Sequence, residues 1–301
     1  MQTIIGIRKK YFKKIDYLDL ELIIAHTIGK SREFVASHPE HELLQAQSAA
    51  IRSFVARRAK HEPLAYILGH KEFYGFDFKV TPATLIPRPE TELLVELVTQ
   101  KLERETRTSG FPDGTLHTVC DIGTGSGNII VSLARNLSGS EFKLPNLNLY
   151  GIDISKEALS IARSNAKSNG VLEKIKFMRG NLLEPLIKIR SAFRVPRSVI
   201  IIANLPYLSR EIYAAAPPNV KKYEPKSALY SPSEGLAHYE GLFKQLEKII
   251  ADQGSRIEIF LEISPEQKTK LPKLLKKYLP GARVEFLKDL ARKWRVCRIT
   301  L

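Results

Sequence analysis

Apolar residues recur at three- and four-residue spacing through Asp16 to Gly29 and again through Glu40 to Lys60, without strand-like alternation. That period predicts a small helical bundle over the first 70 residues. The run Phe73-Tyr74-Gly75-Phe76-Asp77-Phe78-Lys79-Val80 then alternates around Gly75, which predicts a hairpin or two short strands acting as a hinge between two parts. From Thr118 onward, strand-like runs near 118–122, 147–153, 174–179, 198–203, 256–262, 283–288 and 295–301 are separated by helical stretches. This is the signature of an α/β protein with a doubly wound sheet. Only Asp289 to Trp294 separate the last two runs, too few residues for a parallel crossover, so these strands should form an antiparallel edge pair. The expected division is a helical domain over 1–70, a hairpin and linker over 71–88, and a sheet domain over 89–301.

Composition changes this picture little. A chain of 301 residues that is 44% hydrophobic suits two parts with a sizeable core. Met1 to Lys10 has too short an apolar stretch for a signal peptide, and no run approaches membrane-spanning length, so a cytoplasmic protein is expected. Cys120 and Cys297 lie in apolar strand-like segments and read as buried free thiols. The seven His are scattered, with no spacing that zinc would use, and no metal is expected.

The net charge of +15 invites nucleic acid or ribosomal surfaces as partners, although solvated faces account for many surplus cations. Residues 1–70 carry 11 Lys and Arg against 7 Asp and Glu, leaving 36 against 25 in the remainder, so there is no basic arm. Local concentrations at Lys188 to Arg197 and at Lys268 to Lys277 could meet an acidic or phosphate-bearing partner.

Two loops carry the chemistry. Asn204-Leu205-Pro206-Tyr207 follows the apolar run Val199 to Ala203. An amide or aryl amine nitrogen is a poor nucleophile because its lone pair is delocalised, so a catalyst must hold both N–H groups and aim the lone pair at the electrophile. Asn204 Oδ1 can accept one N–H and the Leu205 carbonyl the other, while Pro206 fixes the turn and the Tyr207 ring can cover the flat face of the acceptor. An ordinary strand-closing turn would also use Asn and Pro. The second loop, Asp121-Ile122-Gly123-Thr124-Gly125-Ser126-Gly127, precedes a helical stretch from Ile129 to Leu137. A dinucleotide fingerprint would place its third glycine at position 128, which is Asn128, and an acid about 20 residues on, whereas the next strand-end acid, Asp153, lies 30 residues beyond Gly123. This spacing favours S-adenosylmethionine, with Gly123, Gly125 and Gly127 letting the backbone pass under its amino-acid part and Asp153 accepting from the ribose hydroxyls. Asp153 could instead cap the following helix, a role that Ser155 fills as well.

Between hairpin and sheet, Pro87 and Pro89 hold the approach extended, and Pro89 with Glu90 and Glu92 makes a good first helical turn. Arg88, locked between the prolines, could pair with an acid that braces the site or touch the substrate backbone. His238 reads as a helix-surface residue.

Taken in order, Pro63 to Gly69, Phe73-Tyr74-Gly75, Leu85 to Glu92, the glycine loop, Asp153, the Asn-Leu-Pro-Tyr turn, Tyr223-Glu224-Pro225, Ser233 to Tyr239, Leu261-Glu262-Ile263 with Gln267, and Lys288-Asp289-Leu290 resemble the bacterial release-factor glutamine N5-methyltransferases. The resemblance covers nearly the whole chain. It implies a Rossmann-like, seven-stranded methyltransferase sheet whose last strand is antiparallel, and a helical N-terminal domain that grips the release factor. It further implies methyl transfer from S-adenosyl-L-methionine to the glutamine of the Gly-Gly-Gln loop, in support of translation termination. Gly123, Thr124, Gly125, Ser126, Gly127, Asp153, Asn181, Leu182 and Asn204 would then bind the cofactor, and Asn204, Leu205, Pro206, Tyr207 and Arg88 the substrate. A monomer is expected, and nucleic acid is not expected as the substrate.

Two positions depart from the family. Leu205 stands where a second proline is usual, a form more typical of RNA adenine-N6 dimethyltransferases, and Asn181 stands where an acid commonly accepts from the adenine amino group. Asn181 Oδ1 can still accept, though more weakly. These departures keep two alternatives in view, an adenine-N6 methyltransferase on RNA or DNA and a non-catalytic cofactor-binding protein.

Overall fold

The computed structural model describes residues 2–107, 116–139, 147–189, 197–250 and 256–301. The chain divides into two compact units, Met1–His70 with Pro217–Tyr223, and Lys71–Ala216 with Glu224–Leu301.

The first unit contains helices Ile4–Tyr11, Tyr17–Ile28, Arg32–Ser37, Gln45–Arg58 and Leu64–Leu68, with a minimal antiparallel pair of strands, β1 (Gln2–Thr3) and β2 (Glu42–Leu43). The two helices predicted from periodicity are present. The three shorter ones are too brief to show a period, and end signals define them instead: Thr3 and Ser31 each accept from a backbone N–H three residues on. Ile4, Ile7, Leu20, Ile23, Ile24, Val35, Ile51 and Val55 close the core. Glu21, nearly buried beside them, receives Arg8 at 2.6 Å. The segment Pro218–Tyr223 is also a helix, and Tyr223 Oη donates to the Lys60 carbonyl at 2.9 Å.

In the second unit, β3 (His70–Phe73) and β4 (Phe76–Lys79) form the hairpin expected around Gly75, His70 being the last residue of the first unit. The turn is tied down: Phe73 and Phe78 are fully buried in the same core as Leu94, Val98 and Val119. Lys79 N–H donates to Asn165 Oδ1 at 2.8 Å, and Asn165 Nδ2 donates back to the Lys79 carbonyl and to Ser126 in the glycine loop.

Seven strands form the main sheet: β5 (Leu116–Ile122), β6 (Leu147–Asp153), β7 (Ile175–Arg179), β8 (Arg197–Ala203), β9 (Arg256–Glu262), β10 (Arg283–Lys288) and β11 (Trp294–Thr300). Their order is β10-β11-β9-β8-β5-β6-β7. Strands β5 to β9 are mutually parallel, and β11 is antiparallel to both its neighbours, β9 and β10. The last strand therefore is not at the rim; it enters between β9 and β10, and β10 forms the edge. The central strand β8 is buried on both faces from Val199 to Ala203, which is why it reads as a continuous apolar run. Cys120 and Cys297 are buried free thiols. Of the two basic concentrations, residues 190–196 lie outside the described residues, and Lys268 to Lys277 occupy a short turn and the helix Leu271–Tyr278.

Candidate active site

The carboxyl ends of β5, β6, β7 and β8 open into one cavity of about 200 Å³, lined by Gly123 to Ser126, Asp153, Gly180 to Leu182 and Asn204 to Pro206. Ligands in open parallel sheets are held at this edge, where strand-to-helix loops diverge. The loop after β5 begins with the Gly123 and Thr124 N–H groups donating to the Ile152 carbonyl at 2.8 and 2.9 Å. Gly123 has φ +72°, and a Cβ there would lie 3.2 Å from Leu205 Cδ2, so both backbone conformation and crowding require glycine. At Gly125 the corresponding position is open, with nothing nearer than 3.8 Å.

Asp153 ends β6 in the cavity wall. Its Oδ2 accepts from Gly125 N–H and its Oδ1 from Ser155 N–H, each at 2.9 Å, while Ser155 Oγ caps the next helix by accepting from Ala158 N–H. The cap is thus Ser155, and with Ile154 as a third backbone donor the Asp153 carboxylate still has acceptor capacity left for a ligand. Burial raises its carboxyl above the ordinary value, against the pull of the backbone donors. Asp121, behind the loop, is fully buried; Thr124 Oγ1 donates to its Oδ2 at 2.6 Å, the Ile130 N–H also favours the ionised carboxyl, and burial outweighs both, pushing it up to about 7. Opposite, Leu182 is nearly buried at φ +54°, with Asn181 exposed beside it. An acid able to accept from a diol, an open backbone cradle and an apolar side chain for a flat base are the groups an S-adenosylmethionine needs, and the donor set fits it.

The Asn-Leu-Pro-Tyr turn is held from several sides. Asn204 Nδ2 donates to Thr91 Oγ1 at 3.1 Å, and Thr91 Oγ1 donates to Glu262 Oε2 at 2.6 Å. Tyr207 Oη donates to Glu262 Oε1 at 3.1 Å, and Gln267 Nε2 bridges the Tyr207 and Gly235 carbonyls at 3.3 and 2.9 Å. Leu205 is buried in the core below the glycine loop, so its departure from the family pattern is absorbed by packing. Tyr207 is anchored by its hydroxyl and does not line the cavity, unlike Asn204, Leu205 and Pro206. Arg88 lines it and pairs at 2.5 Å with Glu224, a nearly inaccessible carboxylate that also accepts from Ile86 N–H at 3.4 Å.

His238 corrects the surface reading. It lines the cavity half-buried, with Nδ1 2.8 Å from Ser231 Oγ, and burial lowers its pKa. Thr91, Glu262, Glu224 and Asp121 were not singled out for roles either. The signal at Glu262 was an acid closing the apolar run Ile259-Phe260-Leu261.

Against known proteins, the PrmC N-terminal domain matches residues 10–69, and a methyltransferase domain matches residues 115–222. The release factor glutamine methyltransferase of Bacillus cereus is 33% identical over 276 residues, covering 92% of this chain and 89% of that protein. The chain belongs to the release factor glutamine methyltransferase family. The Enterococcus faecalis member is 34% identical over 254 residues, covering 84% of this chain and 81% of its own. Among solved structures, the human Mettl16 catalytic domain in complex with the MAT2A 3'UTR hairpin 6 superposes with a TM-score of 0.50 at 14% identity, covering 85% of this chain and 81% of that one. At that identity the likeness is one of fold.

Proposed function

We infer that this chain transfers a methyl group from S-adenosyl-L-methionine to the side-chain amide nitrogen of the glutamine in the Gly-Gly-Gln loop of peptide chain release factors. The observation that carries the reading is Asn204, whose Nδ2 is committed to Thr91 while no described residue engages its Oδ1. S-adenosylmethionine supplies an electrophilic methyl on its sulfonium. Asn204 Oδ1 and the Leu205 carbonyl accept the two amide N–H groups, so the nitrogen presents its lone pair toward the methyl. Pro206 fixes the direction of that carbonyl, and Tyr207, outside the cavity lining, steadies the turn through its hydroxyl on Glu262 rather than covering the amide. As the nitrogen gains the methyl it loses one proton, which passes to solvent water, so no charged base is required.

Gly123 to Ser126 cradle the methionine part, while Gly127, expected there too, packs on Ala162 outside the cavity lining; Asp153 accepts from the ribose hydroxyls, and Leu182 and Asn181 meet the adenine. Arg88, fixed by Glu224, flanks the incoming peptide. The helical unit of Met1–His70 with Pro217–Tyr223 grips the release factor, and the unit of Lys71–Ala216 with Glu224–Leu301, which includes the hairpin and linker expected at 71–88, carries the catalysis. A cytoplasmic reaction agrees with a release factor as the substrate; no helix among the described residues is long and apolar enough to cross a membrane.

Incubation with labelled S-adenosylmethionine, purified release factor and total RNA tests the assignment. Mass spectrometry should find one methyl on the Gly-Gly-Gln peptide. Label in RNA, or in neither, would overturn it.

A further inference from the structure

Glu262 ends β9, next to β8, and its side chain is fully enclosed. Two hydroxyls converge on it: Thr91 at 2.6 Å on Oε2 and Tyr207 at 3.1 Å on Oε1. Its backbone carbonyl accepts from Tyr239 Oη at 2.5 Å. Burial raises the carboxyl above the ordinary value, while Thr91, Arg295 and Tyr207 pull it back toward the ionised form.

Both carboxyl oxygens meet hydroxyls, so Glu262 serves as the acceptor for Thr91 and Tyr207. Thr91 has one hydroxyl proton and spends it on Glu262, so toward Asn204 its oxygen can only accept. Asn204 must therefore turn its NH₂ to Thr91 and its Oδ1 away, the reverse amide orientation placing two acceptors face to face. Thr91 is itself 2% exposed, so water cannot replace it.

We propose that Glu262 and Thr91 are positioning residues that lock the Asn204 amide with Oδ1 toward the cavity, and that the same carboxylate holds Tyr207 at the other end of the turn. The inference rests on the reading that Asn204 holds the substrate amide. Neither residue touches substrate; each acts through the turn. Because the lock matters for aiming the nitrogen, its loss acts on turnover and spares cofactor binding.

The test uses full-length protein carrying Thr91→Val, Thr91→Ser, Thr91→Ala or Asn204→Ala, with intact release factor as substrate. Thr91→Val should lower kcat about tenfold or more, while S-adenosylmethionine affinity by calorimetry stays within about twofold. Thr91→Ser, which restores the hydroxyl, should return kcat to within about threefold of the parent. Thr91→Ala removes the hydroxyl without adding bulk and is read in the same way should the valine variant not fold. Parental kcat in Thr91→Val or Thr91→Ala, a serine variant as impaired as the valine one, or an equal loss of cofactor binding would each overturn the proposal. Asn204→Ala separates the two levels. If it is inactive while Thr91→Val is fully active, the lock alone fails; if it retains normal turnover, the underlying clamp fails.

Discussion

Asn204 and Asp153 both line one cavity, and the proposed roles separate their effects. Asn204→Ala removes an acceptor that strengthens as the nitrogen attacks, so turnover should fall at least ~100-fold with cofactor affinity nearly unchanged. Near-normal turnover in steady-state assays would remove the clamp. Asp153→Ala should do the opposite and weaken S-adenosylmethionine binding by about 1.5–3 kcal/mol, the scale of hydrogen bonds to a charged acceptor. Titration calorimetry reads this directly, and unchanged affinity would take Asp153 out of the site. Gly235 is a packing constraint: at φ +84° a Cβ would lie 2.2 Å from the Tyr207 carbonyl. Gly235→Ala should therefore destabilise the chain by about 3 kcal/mol, and an unshifted thermal transition would contradict that crowding.

Among the elements, β5 carries an acid where a parallel strand is buried on both faces. The folded pKa of Asp121 is pushed up from 3.8 to about 7, chiefly by burial. Between those values the folded chain keeps a proton that the unfolded chain has released, so stability from this group declines as pH rises through the interval. Asp121→Asn cannot titrate. Melts of both proteins without cofactor, at about pH 5 and about pH 8, should show the difference moving in favour of the variant at the higher pH. A pH-independent difference would mean the carboxyl titrates normally. The central strand was legible because Val199 to Ala203 of β8 is a continuous apolar run closed by a turn. The short helices of the first unit were not, since one or two turns cannot display a period.

The whole molecule has two units that are not contiguous in sequence, because Pro217–Tyr223 clusters with Met1–His70. On the proposed reading the first unit supplies docking energy that positions a poor nucleophile. A chain beginning near His70 should still bind S-adenosylmethionine, since Gly123, Asp153 and Leu182 all remain. Its methylation of intact release factor should drop by about tenfold or more. Equal activity of the short and full chains would assign docking to the catalytic unit.

The glycine loop, Asp153 and the Asn-Leu-Pro-Tyr turn could be read from the chain because each is a short run whose conformation follows from its own residues and the strand before it. Ser155 as the helix cap was readable for the same reason. The partners of those motifs were not. Thr91 meets Glu262 across 171 positions and Arg88 meets Glu224 across 136, and His238 reaches the cavity from a segment that carries no local sign of it. Which buried acid faces which hydroxyl depends on β9 lying beside β8 and on their register, with Ala203 opposite Leu261. The insertion of β11 between β9 and β10 is decided in the same way, by competition among strand edges for hydrogen bonds, a balance that no local stretch of sequence contains.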